Sequence, residues 1–347
     1  MALVLVTKQL EYNNPNEINE LIKLNNSLID LVRSNNYKEV ELLLKYGVNV
    51  DFKDNKHGST ALMFAAQKGN IKMVELLLSY GADMYIENYK CNMVAFRFAV
   101  FNDHIETVEL LLSYDTTCDI TKYLDNALRV ASIKGCIKMV ELLLNKGANV
   151  NAVHKKEKTA LYLAIEGQHT EIVKVLLKAG ANVDSINEQG NTALIDATCN
   201  NFVEIVNLLL KSGANVNATT KDGNTALHLA IAKGHTKIVE KIMEFIPNIG
   251  IVNNCENTAL HLAAIGNNTE CVKLILSKKM KRHNECDKCI YDNIIELKNF
   301  KKKTALIYAI QQGNSNIIHL LIKAGAKVPS FWSHPCIYIK SLIYHTY

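Results

Sequence analysis

The residues best spaced for metal chemistry are His283, Cys286 and Cys289, an imidazole and two thiols at two-residue gaps. Such donors suit tetrahedral zinc, but a structural zinc site takes four ligands and no fourth stands nearby. The set is read as part of a charged loop, with no metal and no other cofactor assigned. A second candidate is the run Lys278-Lys279-Met280-Lys281-Arg282, the pattern of a nuclear-import or phosphate-binding patch. Between Lys278 and Lys303 stand nine Lys/Arg and four acids, an excess equal to the formal net charge of +5 of the whole 347-residue chain. The remainder is formally neutral, which argues against a nucleic-acid-binding face along its length. The sequence has no Gly-x-Ser-x-Gly elbow, no phosphate-cradling glycine-rich loop and no His-Glu-x-x-His helix. Its scattered Cys, His and Asp residues suggest no convergent pocket, so no catalysis is expected.

These candidates sit on a frame that repeats. Thr192-Ala193-Leu194 opens a short apolar-periodic run, and Val203 to Leu210 forms a second, closed by Gly213. A polar tip with Asp222-Gly223 follows, and Thr225-Ala226-Leu227 begins the phrase again 33 residues later. The pattern reads as helix, turn, helix and projecting hairpin. Helices under about 12–15 residues are marginal in water, so each unit must bury its apolar face against its neighbours. Thr-Ala-Leu recurs at Thr60, Thr159, Thr192, Thr225, Thr258 and Thr304, with degenerate copies at Val94 and Asn126. The last spacing, 46, is one period plus a 13-residue insertion that carries the charged run.

The period and the phrase Thr225-Ala226-Leu227-His228-Leu229-Ala230 resemble the ankyrin repeat over roughly residues 25 to 330. One departure is uniform: family members usually place proline after the threonine, where every copy here has alanine. The resemblance implies an all-α ankyrin-repeat solenoid, with slightly softer helix starts. Residues 1–24 read as an N-terminal segment whose helix starts near Pro15, and 25–330 as a cap pair plus about eight repeats with the basic insertion near 278–303. Residues 331–347 form an aromatic tail (Phe331, Trp332, Tyr338, Tyr344, Tyr347), read as a C-terminal cap with partner docking as the other reading. Repeat two is the most degenerate, with Phe96, Phe98 and Phe101 in its first helix and Asp115 where other copies have the helix-closing glycine. Repeat six ends in Phe245-Ile246-Pro247 in place of the usual Gly-Ala.

The resemblance also implies a role. His228 and His261 are structural ties between neighbouring repeats. Partner contacts fall four, three and one residues before the threonine and seven or eight after it. Those positions hold Lys56, His57, Ser59, Gln67 and Lys68 in repeat one, then Lys122, Tyr123, Asp125 and Lys134 in repeat three. Repeat four supplies Lys155, Lys156, Lys158 and Glu166, and repeat five Glu188, Gln189, Asn191 and Asn200. Repeat six supplies Lys221, Asp222, Asn224 and Lys233. The expected function is binding of another protein along this groove, with the three lysines of repeat four facing an acidic spot on the partner. The alternative is a zinc- or nucleic-acid-binding regulatory protein acting through residues 278–303. No small-molecule substrate and no membrane are expected, since no apolar run reaches about 18 residues. The first residues lack the basic region of a secretory signal. Nine cysteines, an odd and scattered set, point to a reducing, cytoplasmic compartment. The Asn-, Lys- and Ile-rich composition is typical of an AT-rich genome, such as that of an intracellular bacterium or large virus, and fits a role inside a host cell.

Overall fold

The structure, a computed structural model, describes residues 15–90, 93–114, 121–153, 158–277 and 294–328. The expectations for Asp115, for Lys155 and Lys156, for His283, Cys286 and Cys289, and for the 331–347 tail lie outside the described residues.

Each threonine of the repeated phrase is a helix cap. Thr60, Thr159, Thr192, Thr225, Thr258 and Thr304 are extended, with ψ between 162° and 169°. Each hydroxyl accepts from the amide three residues on, at 3.4 Å. A cap of this kind contributes about 1 kcal/mol. In repeat two Val94 holds the same extended backbone with no side chain that can cap.

The helices pair as the pattern requires. In the first compact unit, Met1–His154, these are α1 (Pro15–Arg33) with α2 (Tyr37–Lys45), α3 (Ala61–Lys68) with α4 (Ile71–Ser79), α5 (Ala95–Phe101) with α6 (Ile105–Tyr114), and α7 (Thr121–Lys134) with α8 (Ile137–Asn145). The second unit, Lys155–Tyr347, holds α9 (Ala160–Glu166) with α10 (Thr170–Lys178), α11 (Ala193–Cys199) with α12 (Val203–Lys211), α13 (Ala226–Ala232) with α14 (Thr236–Glu244) and α15 (Ala259–Ile265) with α16 (Thr269–Ser277). A helical turn at 294–296 (α17) precedes α18 (Ala305–Gln312) and α19 (Ser315–Lys323). First helices pack on first helices, α1 to α3 to α5 to α7 in one unit and α9 to α11 to α13 to α15 to α18 in the other. Second helices stack likewise, α4 to α6 to α8 and α10 to α12 to α14 to α16 to α19. Most first helices have only seven or eight residues, so this lateral burial stabilises them. Leu62 and Leu128 in the first unit, and Leu161, Leu194, Leu227, Leu260 and Leu306 in the second, are all at most 1% exposed. Truncating any of them to alanine would cost about 2–5 kcal/mol.

Two features depart from the sequence reading. The helix expected near Pro15, α1, is described from Pro15 and runs unbroken through residues 24 and 25 to Arg33. In repeat three, Lys122 and Tyr123 were expected on a hairpin tip; instead α7 begins at Thr121 and carries both. The stretch 116–125 has no Asp-Gly or Asn-Gly pair to enforce a turn, and Leu124 and Leu128 place an apolar stripe at helical spacing. Both leucines are at most 2% exposed.

Second helices close as expected where glycine is present. Gly81, Gly147, Gly180, Gly213 and Gly325 have φ between +81° and +103°. In repeat six Ile246 takes that place at φ +55°, and Pro247 has no amide to repeat the bond from Ala214 to the Leu209 carbonyl.

Candidate partner-binding surface

Among the described residues the hairpin tips contain only isolated extended bridges, Ile186 with Thr192 and Thr219 with Thr225. The tips are shaped by a polar side chain at their base. Asn187, Asn253 and Asn299 each accept two main-chain amides of their own tip at 3.0–3.2 Å, and Thr220 does the same at 3.2 Å. In repeat one Asp54 plays this part for the amides of His57 and Ser59, at 3.0 and 2.9 Å. Burial alone would push its carboxyl up, but those two amides, His57 and the Arg33 guanidinium at 3.1 Å outweigh it and hold its pKa below the usual value. The sequence reading missed these residues. Their signal was recurrence of Asn, Asp or Thr five or six places before the threonine.

Successive tips are stitched together. The Asn254 amide donates to the Asp222 carbonyl at 2.9 Å, and the Tyr89 amide to the His57 carbonyl at 2.9 Å. Gly223 is required here: a Cβ would meet the Asn253 and Asn254 backbone at 3.1 Å, and φ is +74°. His228 is 2% exposed and His261 fully buried. In each, Nδ1 accepts from the capping threonine's amide, so Nε2 carries the proton and donates to a carbonyl at 3.1 Å, that of Asn257 or Lys303. Burial depresses both pKa values despite the facing carbonyls. The structural role that the resemblance implied for both histidines is thus visible in their bonds. Tyr162 occupies the same place in repeat four, and its hydroxyl donates to the carbonyls of Ser185, at 3.0 Å, and Asn191. Burial pushes its phenol pKa well up.

The residues expected to meet a partner divide accordingly. Lys56, Gln67, Glu188, Gln189, Lys221, Asp222 and Lys233 are exposed, and His57 is 31% exposed. Others are engaged internally. Lys158 pairs with both carboxylate oxygens of Glu166 at 2.9 Å, so one of the three lysine charges of repeat four is offset within the repeat. Asn191 donates to Asp196 at 3.1 Å, and Asn187 does so at 2.7 Å. Burial raises the Asp196 pKa against those two bonds. Asn224 accepts from Asn253 at 2.9 Å, Asn200 donates to the Asp196 carbonyl at 2.9 Å, and Asp125 accepts the Asn149 amide at 2.7 Å. Lys68 and Lys134 donate to the last carbonyls of the preceding first helices, those of Arg33 and Phe101. There a cation complements the helix terminus. Tyr123 is half-buried on α7, and the Lys122 side chain lies outside the described residues.

In the first unit this surface contains a cavity of about 220 Å³. Its floor is Met63, Phe64 and Phe98, and its walls are His57, Ser59, Gln67, Asn88 and Lys90. The three phenylalanines of repeat two have separate fates. Phe96 is fully buried, Phe98 faces the cavity, and Phe101 is 51% exposed beneath the Lys134 ammonium. Among the described residues no cluster of His, Cys, Asp or Glu could hold a metal ion. No helix among them is long and apolar enough to cross a membrane.

A search of curated proteins returned no match. The family model described as "Ankyrin repeats (3 copies)" matches five overlapping stretches, 4–88, 85–154, 147–220, 212–285 and 227–331. With the period, the capped helix pairs and the stitched tips, these matches cover most of the chain, which belongs to the ankyrin repeat family.

Proposed function

We propose that the protein is a non-catalytic scaffold that holds a protein partner along its hairpin tips and first helices. Ankyrin repeats are generally protein–protein interaction modules. The observation that carries the reading here is a division of labour within each tip. Base residues such as Asn187 and Asn253 bond inward, while Lys56, Glu188, Gln189, Lys221 and Asp222 expose different chemistries on the same frame. A frame fixed before binding loses little conformational entropy when a partner docks. A protein partner, not an extended nucleic acid, fits this mixture of charge signs.

Cross-linking capture with the full chain tests this, using variants that replace exposed tip residues by serine in each repeat. Partners held by the unaltered chain should be lost from at least one tip set whose thermal unfolding is unchanged. Partners retained by every tip variant would place the binding surface elsewhere, with residues 278–303 the next to test.

A further inference from the structure

The cavity over α3 and α5 singles out one kind of ligand. Its floor is apolar and aromatic, and among the described residues no carboxylate lines it. Lys90 stands in the wall and Lys56 on the adjoining tip, both exposed. The nearest acid on the tip, Asp54, is 9% exposed and already engaged by Arg33 and two amides. Arg33 itself lies over the Phe64 ring, 4.1 Å from its centroid, and fixes that ring in the floor. Drug-sized ligands occupy pockets of about 300–1,000 Å³, whereas about 150 Å³ of apolar cavity already accepts a benzene ring. A volume of about 220 Å³ therefore suits one bulky side chain.

We propose that this cavity receives an aromatic or large aliphatic side chain from an extended, acidic segment of the partner, whose flanking carboxylates meet Lys56 and Lys90. Gln67, exposed at the rim, offers an amide that can both donate to and accept from that segment's main chain. A polyphosphate chain fits less well, because the cavity floor offers it apolar carbon in place of donors. The proposal rests on the groove reading above and names the partner chemistry within it.

The test uses the full chain and fluorescent ten-residue peptides with a central phenylalanine flanked by glutamates, followed by anisotropy and by the Met63 methyl resonance. The glutamate peptide should bind at least tenfold tighter than versions with central alanine or with lysine flanks, and should shift the Met63 methyl. Raising salt from 50 to 500 mM should weaken it several-fold, as expected for exposed charges. Lys56→Glu with Lys90→Glu should reduce affinity at least tenfold. Gln67→Trp, which fills the cavity mouth from an exposed site, should do so without disturbing the core. Equal binding of all three peptides, or of single-stranded oligothymidylate in preference to them, would overturn the proposal. So would peptide binding that leaves Met63 unmoved. If captured partners depend on Glu188, Gln189, Lys221 and Asp222 but ignore the Lys56/Lys90 and Gln67 variants, this inference falls while the groove reading stands.

Discussion

The Nε2 of His261 lies 3.1 Å from the main-chain oxygen of Lys303, 42 residues along the chain. The equivalent bond one repeat earlier, His228 to Asn257, spans 29 residues at the same distance. The difference is the 13 residues by which the final spacing exceeds the period. The insertion is thus absorbed between two repeats whose register is otherwise kept: α15 packs on α18 as α13 packs on α15.

Removing Lys281 to Asn293 should therefore leave folding intact. The buried Ile294 and Ile295 are retained, and so is the Lys303 carbonyl. Loop closure depends only weakly on length, with about 0.6 kcal/mol per doubling. Urea midpoints of the deletion variant should stay within about 1 kcal/mol of the parent, and a chelator should change neither protein. Stoichiometric zinc lost on Cys286→Ser with Cys289→Ser would reverse this and revive the metal reading of the insertion.

Acid should loosen the second unit in a particular window. Burial holds His228 and His261 below their ordinary pKa, so the unfolded chain binds more protons than the folded one. Their contribution is fully present above about pH 6.5 and is lost as pH falls from there toward the depressed values, at up to about 1.4 kcal/mol per pH unit for each ring. Stability measured by urea between pH 7.5 and 5.5 should fall, and His228→Gln with His261→Gln should flatten the fall. An unchanged slope in the double variant would assign the pH dependence to other groups.

Ile246 occupies a left-handed position that costs a β-branched residue about 1–2 kcal/mol. It is 59% exposed, so little burial is lost on its removal. Ile246→Gly should raise stability by about 1 kcal/mol, with Ile246→Asn intermediate. Lower denaturation midpoints for both would show that the isoleucine side chain outweighs its strain.

Tyr162→Phe keeps the ring and removes only the hydroxyl that reaches the Ser185 and Asn191 carbonyls. The Ser185 carbonyl then loses its donor, while the Asn191 carbonyl keeps the Asn187 amide at 3.0 Å, and the change should cost about 1–3 kcal/mol. Amide exchange should rise in the tip containing Asn187 and Asn191 more than in the core of α10. Equal protection in both proteins would mean that water replaces the hydroxyl without loss.

The period was legible in the sequence as recurrence, and the helix pairs and closing glycines because each depends on residues within about four places of one another. Repetition then revealed that every unit buries the same face. Other features were decided by tertiary structure, most of them because they involve a group about one period away. Tyr162 stands where His228 and His261 stand, yet only the position of the next tip shows that its hydroxyl does the same work. Lys68 and Lys134 read as surface cations until the preceding helix ends come beneath them. The Lys158–Glu166 pair forms because the hairpin folds back over its own helix, eight residues on. Likewise the cavity forms only because Phe64 and Phe98, 34 residues apart, are brought into one lining.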